Sequence, residues 1–125
     1  MTEKFFLQQA PFVVPATDGN LIEEHVGSVA TGESNLSVAH MVAPPGWSEP
    51  HQNPEFDEYT LMVHGRKQIE INGETERLKS GESLLVQKGV KVQYSNPFEE
   101  EAEYWSVCIP AFSPDSVNRE NDSST

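Results

Sequence analysis

A chain of 125 residues has room for one domain around one apolar core, and twenty Asp and Glu against eight Lys and Arg leave it with a net charge of −12. That charge repels phosphate backbones and anionic bilayers, so nucleic acid and membrane surfaces are set aside as partners. Cys108 is the sole cysteine, which excludes an intrachain disulfide and a cysteine-built zinc site and agrees with a reducing, cytoplasmic setting.

The opening residues, Met1 to Gln9, lack the apolar core and cleavage site of a signal peptide. No later apolar run approaches the roughly 20 residues that span a bilayer, so a soluble protein is expected. From about Asn20 to Phe112, short segments of β character alternate with turn residues. Segment 36–43 stops at Pro44-Pro45-Gly46, where proline cannot extend a ladder. Segment 58–64 ends at Gly65, and 68–71 alternates polar and apolar residues before Asn72-Gly73, the strongest hairpin signal in the chain. Ser80-Gly81 turns into 83–86, Gly89 precedes 90–94, Asn96-Pro97 follows, and 103–109 closes at Pro110. Prolines and glycines recur too often for a long helix, so the chain is all-β, and seven or more evenly spaced strands mean a barrel or a sandwich. Residues 113–125 are polar apart from Val117 and are expected to fray or to await a partner.

Two motifs choose between barrel and sandwich. The first runs Gly46-Trp-Ser-Glu-Pro-His51-Gln-Asn53, then Glu58, six residues and Gly65. The second runs Gly81-Glu-Ser-Leu-Leu-Val-Gln87-Lys-Gly89-Val-Lys-Val92, then Tyr94 and Asn96. Over about residues 36–112 the chain resembles the cupin superfamily, whose motifs are G-x5-H-x-H-x3,4-E-x6-G and G-x5-P-x-G-x2-H-x3-N. Here one residue is missing after Gly46. The resemblance implies an antiparallel jelly-roll β-barrel, one domain over 1–112 with N-terminal strands ahead of the motif-bearing part, and a homodimer.

In the superfamily the motif histidines and glutamate hold a divalent metal inside the barrel. In this chain the second histidine is Asn53, the late histidine is Val92 and the second-motif proline is Gln87, so only His51 and Glu58 remain as ligands. A tight transition-metal site needs three or four donors, so no cofactor is expected. Any metal would rest on His51 and Glu58.

The same alignment implies a small-molecule ligand in the barrel. Glu58 faces inward with Thr60 and Met62; a carboxylate in a partly apolar pocket is a candidate general base, with His51 as its proton partner. Val92, Tyr94 and Asn96 share the inward parity. Asn53, Met62, Val92, Tyr94 and Trp105 are the expected ligand contacts. The function expected is metal-independent proton transfer of an isomerase or lyase kind. A non-enzymatic binding or sensor barrel is the alternative, and a metal-dependent cupin oxygenase or isomerase with a rebuilt site is a third. No lysine or serine is assigned as a nucleophile, which ranks covalent catalysis last. His40 and His64 are read as ordinary strand histidines, Glu99-Glu-Glu101 as a solvated loop, and Cys108 as an inert buried thiol.

Overall fold

The computed structural model describes residues 4–120. Among the described residues nine strands occur in chain order: β1 Phe12–Val13, β2 Leu21–Val26, β3 Ser37–Ala43, β4 Asp57–His64, β5 Arg66–Ile71, β6 Glu74–Lys79, β7 Ser83–Val86, β8 Val92–Ser95 and β9 Ala102–Ile109. One short 3-10 turn, Pro114–Ser116, follows. The strands form an antiparallel six-stranded sheet in the order β1-β2-β3-β9-β4-β7 and a three-stranded sheet in the order β6-β5-β8. Together they make the all-β jelly-roll barrel expected from the motifs. No helix among the described residues is long and apolar enough to cross a membrane.

The turn chemistry acts where the sequence places it. Asn72 and Gly73 take φ of 49° and 86°, the left-handed pair that lets a two-residue turn match the twist of β5 and β6. β6 itself, Glu74–Lys79, offers little periodic signal, because an edge strand needs only one buried side chain, Leu78. Gly65 joins β4 to β5 at φ 78°, with the Glu101 carbonyl against the position a Cβ would fill.

Strand parity divides inside from outside. On β4 the inner side chains are Glu58, Thr60 and Met62, while Tyr59, Leu61 and Val63 are exposed. On β9 the inner row is Ala102, Tyr104, Ser106 and Cys108. One end of the interior is solid: Ala43, Met62, Ile69, Leu78, Val86 and Ala102 belong to one cluster that fills it. The other end is hollow.

Asn96, the last residue of the second motif, is fully buried and fastens that solid end. Its Nδ2 donates to the carbonyls of Ala43 (3.1 Å), Pro44 (3.2 Å) and Glu100 (2.8 Å), and its Oδ1 accepts from the Phe98 amide (3.1 Å). The motif position therefore serves the backbone, since the buried Asn96 side-chain amide meets its own hydrogen-bonding needs entirely with main-chain groups.

The segment after Phe112 lies against the barrel as far as Glu120. Val117, its sole apolar residue, is buried with Phe56 and Cys108, and Phe112 packs on the same cluster. Asn118 Nδ2 donates to the Asn53 carbonyl (3.0 Å), and the Glu120 amide donates to the His51 carbonyl (2.8 Å). The chain orders this arm on itself through residue 120; residues 121–125 lie outside the described residues.

Candidate functional site

The hollow end encloses a cavity of about 470 Å³. Its walls come from the inner rows of β2, β3, β4 and β9, from Lys67 on β5 and Tyr94 on β8, and its rim from segments 14–18 and 112–119. Both rim segments lie at or outside the edges of the motif-bearing region.

Glu58 is held at both carboxylate oxygens. Ser106 Oγ donates to Glu58 Oε2 at 2.6 Å and Tyr94 OH donates to Oε1 at 3.1 Å, so each carboxylate oxygen accepts one hydroxyl. β4 carries Glu58 opposite Cys108 of β9, which brings Ser106 one inward step along the same neighbouring strand. Burial, with Glu58 close by, pushes the Tyr94 hydroxyl well above its ordinary range and the Cys108 thiol up as well. Cys108 is buried, and the upward shift disfavours its thiolate. On the opposite wall, Trp47 Nε1 donates to Asp18 Oδ2 at 2.7 Å, and Glu24 accepts the amides of Val29 (3.0 Å) and Ala30 (2.8 Å).

Lys67 and Glu49 complete the charged set. Lys67 shares the inward parity of Ile69 and Ile71, and its side chain is 2 % accessible. Its Nζ lies 3.6 Å from the Tyr104 ring centre and 4.1 Å from that of Tyr94. Burial lowers the Lys67 ammonium to about 8, although Glu58 and Glu49 oppose the shift. Burial likewise raises the Glu49 carboxyl to about 7, against the attraction of Lys67 and Arg119. Arg119 sits at the rim, 3.6 Å from Glu49 Oε2.

Of the residues expected from the motifs, Glu58 and Tyr94 meet in this cavity. His51 does not join them. Ser48 bridges Ser95 whereas Gln52 bridges Val92, so four steps on one side face three on the other. That one-residue irregularity reverses the side-chain alternation at Pro50-His51. Trp47, Glu49 and Gln52 consequently line the cavity, while His51 turns away and its Nε2 meets Glu70 Oε1 at 3.1 Å. The expected Glu58–His51 pair is therefore corrected: no contact joins the two. Asn53 is exposed, with Nδ2 on the Gly89 carbonyl at 3.4 Å. Met62 and Val92 are packed in the solid core rather than along the cavity.

Trp105 is corrected too. It faces outward, against His25 and His40, with ring centres 4.9 and 5.0 Å apart. His40 bridges Glu23 (2.9 Å) and Glu103 (2.7 Å) on that outer face, and His64 is exposed at the end of β4. Reading Lys67 required only the parity of Ile69 and Ile71 carried back two residues. Ser106 and Tyr104 required the direction of β9, where both parities contain apolar residues.

The donor set does not fit the superfamily's metal. His51 points away, Val92 has no donor atom, Asn53 is outside, and both Glu58 oxygens are engaged by hydroxyls. Among the described residues no three His, Cys, Asp or Glu side chains form a group that could hold a metal ion.

The family model described as Cupin domain matches residues 39–109. The chain belongs to the cupin family. KdgF from Halomonas sp. superposes on this cupin with a TM-score of 0.71 at 18 % identity, over 91 % of this chain and 98 % of KdgF. An RmlC-like cupin from Methanocaldococcus jannaschii gives 0.67 at 19 %, over 88 % and 93 %. Both likenesses are of fold. By sequence the cupin is 46 % identical, over 108 residues and 86 % of its length, to a protein of Myxococcus xanthus (strain DK1622) named Endoribonuclease YbeY. The match takes in 37 % of that larger protein.

Proposed function

We propose that this cupin binds a small polar molecule in the barrel and moves a proton on it with the Glu58 carboxylate, without a metal. The observation that carries the reading is the pair of hydroxyls on Glu58. They fix both oxygens in direction while the carboxylate borders a cavity of about 470 Å³, large enough for a small metabolite. His51 is turned outward onto Glu70 and takes no part. The second proton-bearing groups are Lys67 and Glu49, which share the cavity.

An RNA substrate, which the name of the M. xanthus relative brings to mind, is disfavoured by charge. Twenty acidic side chains against eight basic ones would repel a polyanion, and the cavity holds Asp18, Glu24, Glu49 and Glu58 against Lys67 and Arg119. The partner we assign to the outer sheet face is a second copy of the chain. Leu85, Tyr59, Val107 and Val38 stand side by side across four strands, and none of them carries charge.

The test uses a screen of small hydroxy and keto compounds by thermal shift, followed by proton NMR of the best binder in heavy water. Exchange of a carbon-bound proton that disappears in Glu58→Gln, with binding and fold retained, is the expected result. Exchange unchanged in that variant removes Glu58 from the chemistry. Binding without exchange in the unaltered protein leaves a ligand-binding or sensor barrel.

A further inference from the structure

The buried amine of Lys67 is a charged group that the fold does not pair. Its side chain is 2 % accessible and opens on the cavity, yet among the described residues it takes part in no hydrogen bond and no ion pair. Two tyrosine faces lie against it. Next to it, the Tyr104 hydroxyl turns toward Asn20, but neither that hydroxyl nor Asn20 Oδ1 completes a hydrogen bond. Leaving a buried amine and a buried hydroxyl unsatisfied costs stability, and where such groups open on a cavity a ligand can supply the partner. A carboxylate or phosphate ligand is a poor candidate, because the cavity already holds four carboxyl groups against two cations.

We propose that Lys67 is an amine nucleophile and that the ligand is a small neutral aldehyde or ketone, which it holds as an imine. This rests on the reading that the barrel binds a small molecule and names that molecule's class. The free amine of Lys67 adds its lone pair to the carbonyl carbon, forming a C–N bond, and one amine proton passes to the carbonyl oxygen. The resulting hydroxyl takes a second proton from the Glu49 carboxyl group and leaves as water, which yields a protonated imine and the Glu49 carboxylate. An electron-poor imine acidifies the neighbouring C–H, whose proton passes to Glu58 as the electron pair moves into an enamine C=C bond. Burial disfavours the ammonium and no acceptor binds its N–H groups, so the free amine and its lone pair are within reach, as desolvated lysines require for this chemistry, even though the two tyrosine faces favour the cation. The titratable groups around it are Glu58 on β4, Tyr94 on β8, Tyr104 and Cys108 on β9, and Glu49.

The full chain is incubated near neutral pH with glycolaldehyde or dihydroxyacetone, reduced with borohydride, digested and mapped by tandem mass spectrometry. Lys67 is expected to carry the reduced adduct at least tenfold faster than Lys79, Lys88 and Lys91, which serve as internal standards. Lys67→Arg, which keeps the charge but cannot form an imine, is expected to lose the fast adduct while its circular dichroism is unchanged. Because the first measurement needs no variant, misfolding of Lys67→Arg leaves it decisive. Labelling of Lys67 no faster than the exposed lysines overturns the proposal. If proton exchange still depends on Glu58 in that case, the imine fails and the proton-transfer reading stands. If Lys67 is labelled but exchange ignores Glu58, the imine stands and the role of Glu58 falls.

Discussion

The two faces of the β4–β9 strand pair reverse the usual order of a half-buried sheet. Inside, Glu58, Ser106 and Cys108 line the cavity and Thr60 is buried beside them in the inner row; outside, Tyr59, Leu61, Val63 and Ile109 are each more than a third exposed. An antiparallel sheet covering an ordinary core places its apolar row inward and its polar row in water. Here the polar row is kept inside because the interior is hollow at that end, and the apolar row is left for another surface. The contrast teaches that apolarity alone does not mark the inside of this barrel.

Substituting adjacent residues of β4 breaks the comparison most sharply. Met62→Ala removes a side chain from the packed end and is expected to cost about 2–5 kcal/mol in urea denaturation. Leu61→Ala, one residue away on the outer face, is expected to change the stability of the isolated fold by about 0.5 kcal/mol or less. Equal losses at the two positions would mean that the outer row is already buried in solution.

Association tests the outer face directly. The unaltered chain is expected to sediment as a dimer, and Leu61→Lys to raise the dissociation constant by about tenfold or more through a buried, unpaired charge. A monomer at high concentration before any substitution would remove the second-copy assignment.

Smaller effects sharpen each face in turn. Thr60 Oγ1 is buried without a partner, so Thr60→Val is expected to stabilise the fold by up to about 1 kcal/mol, measured by calorimetry. On the outer face, burial opposes charging of His40, but hydrogen bonds and attraction from Glu103 and Glu23 prevail and raise its pKa above the ordinary 6.5. The protonated form therefore favours the fold: its contribution is complete below 6.5 and is lost as pH rises through the folded value. His40→Gln is expected to flatten the stability difference between about pH 6 and pH 8 by less than about 1 kcal/mol, the size of an ion pair still partly reached by solvent.

Local chemistry is enough to read most of the barrel. Asn72-Gly73, Gly65 and the prolines that close β3 and β9 mark their turns, because a backbone with positive φ or no amide proton can be met by few residues. Glu58 and Tyr94 were legible as inward residues from the motif spacing. His51 was not, since the residue missing after Gly46 accompanies a change of register, and a one-residue slip turns every following side chain to the other face.

The sequence by itself determined an acidic, all-β chain with a cupin's turn positions and a depleted metal set, because those properties reside in single residues and short spacings. Tertiary structure alone decided which parity of β9 faces the cavity, where Lys67 finds its two tyrosines, and how the arm after Phe112 closes the rim. Each of these depends on contacts between residues far apart in the chain. Alternation along a strand reports two faces, and only the partner strands and the hollow between the sheets tell which is inside.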